Sequence, residues 1–427
     1  MLILQLINMY PYIIKNFAYL VRKVRSIMQA KNNIILQTSD IVECETPMQI
    51  DTLPLIEEAS FSDWQQEIPK KYFDLSAEEI SSRIKEYKSK MSKDLIILGH
   101  HYQREDIIQF ADRVGDSYGL SVYASENKKT PYIIFCGVHF MAEAADILTN
   151  DEQTVMLPNL EAGCSMADMA NRPDVSSAWK ELKDNFPNTK IIPITYINSP
   201  ATLKAFCGAN DGIVCTSSNA DKVIQWAFQK GEKVFFFPDQ HLGRNTSHKL
   251  GIKDSEISLW DWRAYNMPLG GNSKQDIRNS KVILWDGFCS VHQRFTVEQI
   301  NEAREQYQNI QIVVHPECNA DVVQAADAVG STAFIADYTN NAKPGSVIGI
   351  GTEVNLVSRL AKENPDKTIF CLDSVICPCS TMYRVHPAYL LWVIESLSKD
   401  QVVNQISVST QDKANAKIAL ERMLEVS

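Results

Sequence analysis

The 427-residue chain contains neither a GxGxxG nor a GxxxxGK(S/T) segment. Such glycine-rich turns cradle dinucleotide and nucleotide phosphates, so nicotinamide or ATP dependence is not indicated. There is no Cys-x-x-Cys pair; the tightest pair, Cys377 and Cys379, is separated by one residue. The spacing of a structural zinc ribbon is therefore missing. No dense basic stretch follows residue 40, which argues against a nucleic-acid partner. The formal net charge of -10 and the pI of about 5.4 describe a mildly acidic surface. Small anionic substrates would then need a local positive site. An uninterrupted apolar run long enough for a stable membrane span is also missing, because Asn8, Pro11, Lys15 and Asn16 break the N-terminal one.

The first 39 residues are apolar, basic and free of acids. Their basic cluster, Arg22, Lys23 and Arg25, follows the apolar part, the wrong order for a secretory signal. Two readings stay open: a transit-like or surface-binding helix, and an extension ahead of an internal start at Met28. The expected compartment is the cytoplasm, with a plastid as the alternative if this segment is an address. Residues 40–70 are acidic and polar and read as linker.

The remainder has a normal globular composition, 45% hydrophobic and 22% charged, enough chain for two or three domains. Ten cysteines are scattered along it, which fits a reducing compartment better than a disulfide framework. Cys136, Cys215 and Cys371 lie in or beside apolar runs and are expected to be buried thiols.

From residue 94 onward the chain repeats itself three times in outline. Each copy opens with an apolar strand and a polar tip: LIILGHHYQ, IIPITYINS and IQIVVHPEC. A hydroxyl-bearing turn follows, holding Ser117, Ser217 or Ser331-Thr332. A third segment is YIIFCGVHFMAE, VFFFPDQHLGR or SVIGIGTEVNLV. The fourth ends in cysteine: TVMLPNLEAGC, KVILWDGFC and KTIFCLDSVICPC. From the first tip to the cysteine the gap is 64 residues in copies one and three and 93 in copy two, which carries an insertion around residues 244–273. Between these segments lie helical patterns, one opening on Thr296 with Gln299 three residues on, the spelling of a capping box. Alternating short strands and helices predict parallel βα units, whose ligands bind beyond the carboxyl ends of the strands. The predicted fold is α/β: three pseudo-symmetric parallel-sheet units with converging active edges. The expected boundaries are an extension at 1–75, repeats at 76–188, 189–292 and 293–384, and a helical segment at 385–427.

Three cysteines at one position of three repeats suggest thiolates donated to a shared metal or iron–sulfur centre. Cys164 and Cys289 are unambiguous, whereas Cys371, Cys377 and Cys379 compete for the third place; the matched gap favours Cys379. Nucleophilic catalysis by a thiol with a nearby His292 is the second chemistry open to these residues. His315 and Glu317 form the best acid–base pair, since alternation along an extended segment points both to one side. His100 and His101 carry the same choice between tip and surface loop. Tyr102 and Tyr196 could donate protons or stack on a planar ring. The hydroxyls of Ser117, Ser217, Ser218 and Thr332 open helices, where they would hold carboxylate or phosphate, or simply cap.

The ordered motifs GHHYQ, GDS, GVHFMAE, EAGCSMAD, TYINS, TSSNA, FPDQHLGRN, WDGFCSVHQ, HPECN, AVGST, GTEVNL and CPCSTMY together resemble the quinolinate synthase family from about residue 94 to residue 396. The resemblance implies three pseudo-symmetric α/β domains around one 4Fe–4S cluster with three Cys ligands and an open iron. It implies an enzyme of the aspartate route to NAD, condensing iminosuccinate (iminoaspartate) with dihydroxyacetone phosphate to quinolinate and releasing phosphate and water. A functional link to an iminoaspartate-producing enzyme follows. The family pattern of Cys followed three residues later by Met selects Cys379, beside Cys164 and Cys289. Substrate contacts carry over to His100, Ser117, Tyr196, Ile197, Asn198, Ser217, His315, Pro316, Glu317 and Thr332. Glu317, His315, Tyr102 and His292 are the implied catalytic residues. No role carries over to the N-terminal extension or the middle insertion. A non-catalytic iron–sulfur sensor on the same fold is the competing class; it would have no need of HPE, TYIN and GHHY tips facing a cluster.

Overall fold

The computed structural model describes residues 66–374 and 378–426. The N-terminal segment to residue 65 and Cys377 lie outside the described residues.

Three sheets are formed. The first holds β1 (Leu95–His100), β2 (Arg113–Gly115), β3 (Tyr132–Cys136) and β4 (Thr154–Met156). The second holds β5 (Ile191–Tyr196), β6 (Ile213–Cys215), β7 (Lys233–Phe237), β8 (Ile257–Trp260) and β9 (Val282–Trp285). The third holds β10 (Gln311–Val314), β11 (Ala328–Val329), β12 (Val347–Gly351) and β13 (Thr368–Cys371). A late strand, β14 (Gln405–Ile406), adds antiparallel to β4 at the edge of the first sheet.

The spatial orders are β2-β1-β3-β4-β14, β6-β5-β7-β9-β8 and β11-β10-β12-β13. Each sheet therefore runs second, first, third and cysteine-bearing strand, with every pair inside that set parallel. The middle insertion supplies β8, an added edge strand pairing with β9. In this order the chain direction across the sheet reverses between the first and third strands. That reversal opens a crevice at their carboxyl ends.

Burial explains why these runs are strands. β1, β5 and β7 are buried at every position, as expected for parallel strands covered on both faces. In the second sheet Phe235 packs among Trp179, Trp260 and Trp285, with ring centroids 6.1–6.4 Å apart. Truncating such a ring to Ala costs about 3–5 kcal/mol. Helix starts follow from caps: Asp116, Asp239, Ser331 and Thr296 each accept a first-turn backbone N–H, and Thr296 with Gln299 forms the full capping box. The helix Thr410–Val426 lies on the helix Ala201–Ala209 at Gly208, where a Cβ would sit 1.9 Å from the Asn415 carbonyl oxygen. Only glycine permits that approach. Among the described residues no helix is long and apolar enough to cross a membrane.

Candidate active site

The first strand of each sheet delivers a tip to one cavity. His100 and Tyr102 come from β1, Tyr196, Ile197 and Asn198 from β5, and His315 and Glu317 from β10. Ser117, Ser217 and Thr332 line it from the second-strand turns. Cys164, Cys289 and Cys379 line it from beyond β4, β9 and β13.

The three cysteines share one local conformation. Each carbonyl accepts the N–H four residues on: Asp168 to Cys164 at 3.0 Å, Gln293 to Cys289 at 3.1 Å, Tyr383 to Cys379 at 2.9 Å. Each sulfur also receives the backbone N–H three residues on, from Ala167, His292 and Met382 respectively. Those N–H dipoles favour a thiolate. Burial opposes it, pushing Cys164 up to about 12 and raising Cys289 and Cys379 as well; negative charge on one of these sulfurs further raises its neighbours. Three mutually repelling buried sulfurs, each with prepared N–H donors, fit a cationic iron–sulfur centre that ionises them together. Cys289 is also within metal-sharing distance of His292 and Glu317, whose ligand atoms lie within 4.8 Å of its sulfur and of one another.

Local constraints fix these loops. At Gly287, two residues before Cys289, a Cβ would fall 2.4 Å from the Pro238 carbonyl oxygen. Asp239 caps its helix and receives the Cys289 backbone N–H, and Glu353 accepts the Cys379 backbone N–H at 3.2 Å. A carboxyl group from the third strand's end thus backs the cysteine loop in copies two and three.

His100 and His315 occupy matching positions and behave alike. Tyr102 N–H donates to Nδ1 of His100 at 3.1 Å, and Glu317 N–H to Nδ1 of His315 at 3.4 Å. Nδ1 is the acceptor in both, so Nε2 carries the proton. Burial lowers both imidazoles, His315 to about 3 and His100 well below 6.5, so both are neutral N–H donors near pH 7. His101 turns away from the cavity, where Arg359 donates to its carbonyl at 3.0 Å and approaches its ring at 3.3 Å.

Glu317 is 2% exposed. Burial alone would raise its carboxyl, but the neighbouring His315 and His292 and hydrogen bonds from His292 and Tyr196 oppose that and hold it below the usual carboxylate range. Burial raises the Tyr102 and Tyr196 phenols, which therefore stay protonated donors. Ser117 and Thr332 are not the capping residues of their helices; Asp116 and Ser331 are, which leaves the two hydroxyls facing the cavity. Ser217 sits in a turn closed by Thr216 N–H donating to Asn219 Oδ1 at 2.7 Å, while Ser218 is exposed and does not line the cavity.

Two of the residues picked out in the sequence lie behind the cavity wall. His292 donates through Nδ1 to Glu317 Oε2 at 2.8 Å and stacks on His315 with centroids 4.5 Å apart. The Pro316 carbonyl accepts from Asn245 Nδ2 at 2.9 Å, which ties the HPE tip to the second repeat. No lysine or arginine is among the described residues lining the cavity. The local positive site expected for an anionic substrate is instead a set of neutral N–H and O–H donors, because a buried cation there would carry its own desolvation cost.

Tyr118 was missed by sequence reasoning. It lines the cavity, and its hydroxyl is buried with no hydrogen-bond partner among the described residues. Its position next to Ser117 was the available signal. Thr216, Thr381 and Met382 also line the wall.

Comparison with known proteins bears on this arrangement. The family model described as NadA: Quinolinate synthetase A protein matches residues 82–425. A quinolinate synthase of Corynebacterium glutamicum is 54% identical over 362 residues, covering 85% of this chain and 91% of that protein. Quinolinate synthases of Geobacillus thermodenitrificans and Bacillus cereus are 50% and 49% identical, each covering 84% of this chain, and 97% and 96% of their own lengths.

Proposed function

We propose a function that proceeds from one premise: the chain belongs to the quinolinate synthase family. It is an enzyme that condenses iminosuccinate with dihydroxyacetone phosphate to quinolinate, with loss of phosphate and water. The observation that carries this reading is the meeting of three cysteines, two neutral histidine donors and one ionised glutamate on a single cavity.

Cys164, Cys289 and Cys379 would hold a 4Fe–4S cluster. With three protein ligands such a cluster would keep one iron open and would supply Lewis-acid polarisation of a substrate oxygen. The Nε2–H groups of His100 and His315 bind the carboxylates of iminosuccinate, together with Asn198 and the Ser117, Ser217 and Thr332 hydroxyls. These neutral donors are fixed before substrate arrives, so little reorganisation accompanies binding. Tyr196 keeps its phenol against Glu317 and orients that carboxylate. Glu317 is the general base: it is anionic, buried and held by His292, so it can take a proton from carbon or nitrogen during tautomerisation and dehydration. Tyr102 is the complementary proton donor. His315, below the stacked ring of His292, holds its tautomer through the Glu317 N–H and serves substrate binding before proton transfer.

The test is direct. Anaerobically purified protein should be brown and form quinolinate from dihydroxyacetone phosphate with oxaloacetate and ammonia as the source of iminosuccinate. A colourless protein with full activity, or a brown protein with none, would overturn the reading.

A further inference from the structure

The cavity carries negative charge before any substrate arrives. Glu317 is ionised, Asp116 lines the same wall, and no lysine or arginine does so among the described residues. The substrate of the functional reading is itself a dianion. Neutral N–H and O–H donors hold its carboxylates, but they do not offset repulsion between like charges in a medium of low dielectric.

One cation stands behind that wall. Lys204 lies in the helix Ala201–Ala209 and is 0% exposed. Lysine is almost never fully buried unless it is paired. Lys204 makes no ion pair among the described residues; its Nζ donates to the Ser199 carbonyl and lies 5.5 Å from the centroid of the Phe140 ring. Both neighbours belong to the site. Ser199 follows Asn198 in the tip of the second repeat, and Phe140 lines the cavity from the first repeat. Glu143 is engaged elsewhere: it accepts the Ala201 N–H at 2.8 Å and pairs with His139 at 3.7 Å. Burial lowers the Lys204 amine to about 8 and Glu143 opposes that shift, so it is mostly an ammonium near neutral pH.

A ligand atom touching the Phe140 ring sits roughly 4 Å from its centre, and therefore within roughly 10 Å of Nζ. At an effective dielectric of about 20, a unit charge at that distance changes the affinity for a carboxylate by about tenfold. The placement also protects the base. A lysine in the wall itself would pair with Glu317 and weaken it, whereas one behind Phe140 acts on the ligand without that contact.

We propose that Lys204 is a specificity-determining residue whose buried ammonium supplies the positive potential that lets this cavity accept a dicarboxylate. It acts through its charge and does not touch the substrate.

The proposal rests on the reading of the cavity as a dicarboxylate site, and succinate binding separates the two. Holoenzyme is titrated with succinate by calorimetry, and quinolinate formation is assayed in parallel at equal iron content. Lys204→Met removes the charge and the donor. Lys204→Gln removes the charge and keeps a donor for the Ser199 carbonyl. Lys204→Arg keeps both. The dissociation constant of succinate and KM for iminosuccinate should rise by about tenfold in Met and in Gln alike. Their kcat should stay within about threefold of wild type, and Arg should recover most of the affinity. A merely structural lysine gives another pattern, in which kcat falls along with affinity and Gln recovers both. A folded Met or Gln variant that binds succinate as wild type does overturns the proposal. So does a Gln variant that recovers where Met does not, or a folded Arg variant as impaired as Met. Gln against wild type decides the matter whichever of the other two fails to fold. A wild type that binds succinate and forms no quinolinate overturns the functional reading alone; one that binds no succinate overturns this proposal.

Discussion

His292 and Glu317, twenty-five residues apart in sequence and on different repeats, share a 2.8 Å hydrogen bond in a region where both are almost fully buried. The bond holds the carboxylate against the imidazole and helps keep it ionised. Glu317→Gln preserves volume and removes the base. Turnover should fall by about 10²–10⁴-fold with the brown colour and iron content retained. Parallel iron analysis and quinolinate assay decide it; unaffected turnover would remove Glu317 from the mechanism.

Tyr118 presents the opposite situation, a buried hydroxyl with no partner among the described residues. An unmatched buried O–H costs about 1–3 kcal/mol, so Tyr118→Phe should leave thermal stability unchanged or slightly higher. If substrate supplies the missing acceptor, KM for one of the two substrates should rise by about tenfold, the equivalent of ~1.4 kcal/mol. A Phe variant with wild-type KM for both would show that the hydroxyl meets neither.

The acid limb of stability should depend in part on His386. Its Nδ1 accepts the Ala388 N–H at 3.1 Å, and burial, with Arg104 nearby, lowers its pKa to about 3. The unfolded chain binds this proton near pH 6.5. Native stability is therefore intact above pH 6.5 and erodes as pH falls toward 3, by about 2 kcal/mol at pH 5. His386→Asn keeps a capping oxygen and cannot be protonated. The gap between stabilities measured at pH 7.5 and pH 5 by urea unfolding should be smaller in the Asn variant than in wild type by about 2 kcal/mol, the rest of the gap coming from other buried histidines such as His100 and His315; equal pH dependence in both would contradict this account of His386.

Much of this arrangement can be read in the chain itself. The polar tips after β1, β5 and β10 are visible because parallel strands are apolar throughout, so a sudden GHHY, TYIN or HPE stands out. The common strand order was legible only as a spacing, and the addition of β8 and β14 at sheet edges was not, since edge pairing depends on long-range contacts that local pattern does not encode. Asp116 and Ser331 each cap through an N–H only three residues on, but the sequence does not say which of two adjacent polar residues caps and which, as Ser117 and Thr332 do, faces the cavity. Histidines could not be sorted from sequence: His100 faces the cavity while His101 is taken up by Arg359. Thr352 is the extreme case, because its partners Tyr102 and His292 lie 250 and 60 residues away.

Cysteine substitution provides a control for site identity. Cys371 is partly buried, lies outside the cavity lining, and approaches the Thr352 carbonyl at 3.7 Å. Cys371→Ser should keep colour, iron and turnover, at a stability cost of about 1 kcal/mol or less. Loss of iron from this variant would mean that the third ligand had been assigned to the wrong cysteine.

The central claim is that Cys164, Cys289 and Cys379 jointly hold one cluster at the cavity, and iron and sulfide analysis of anaerobic protein tests it most directly. Wild type should contain about four iron and four sulfide per chain, and each of the three Cys→Ser variants should fall well below that while remaining folded. Retention of a full complement by any one of the three would contradict the account.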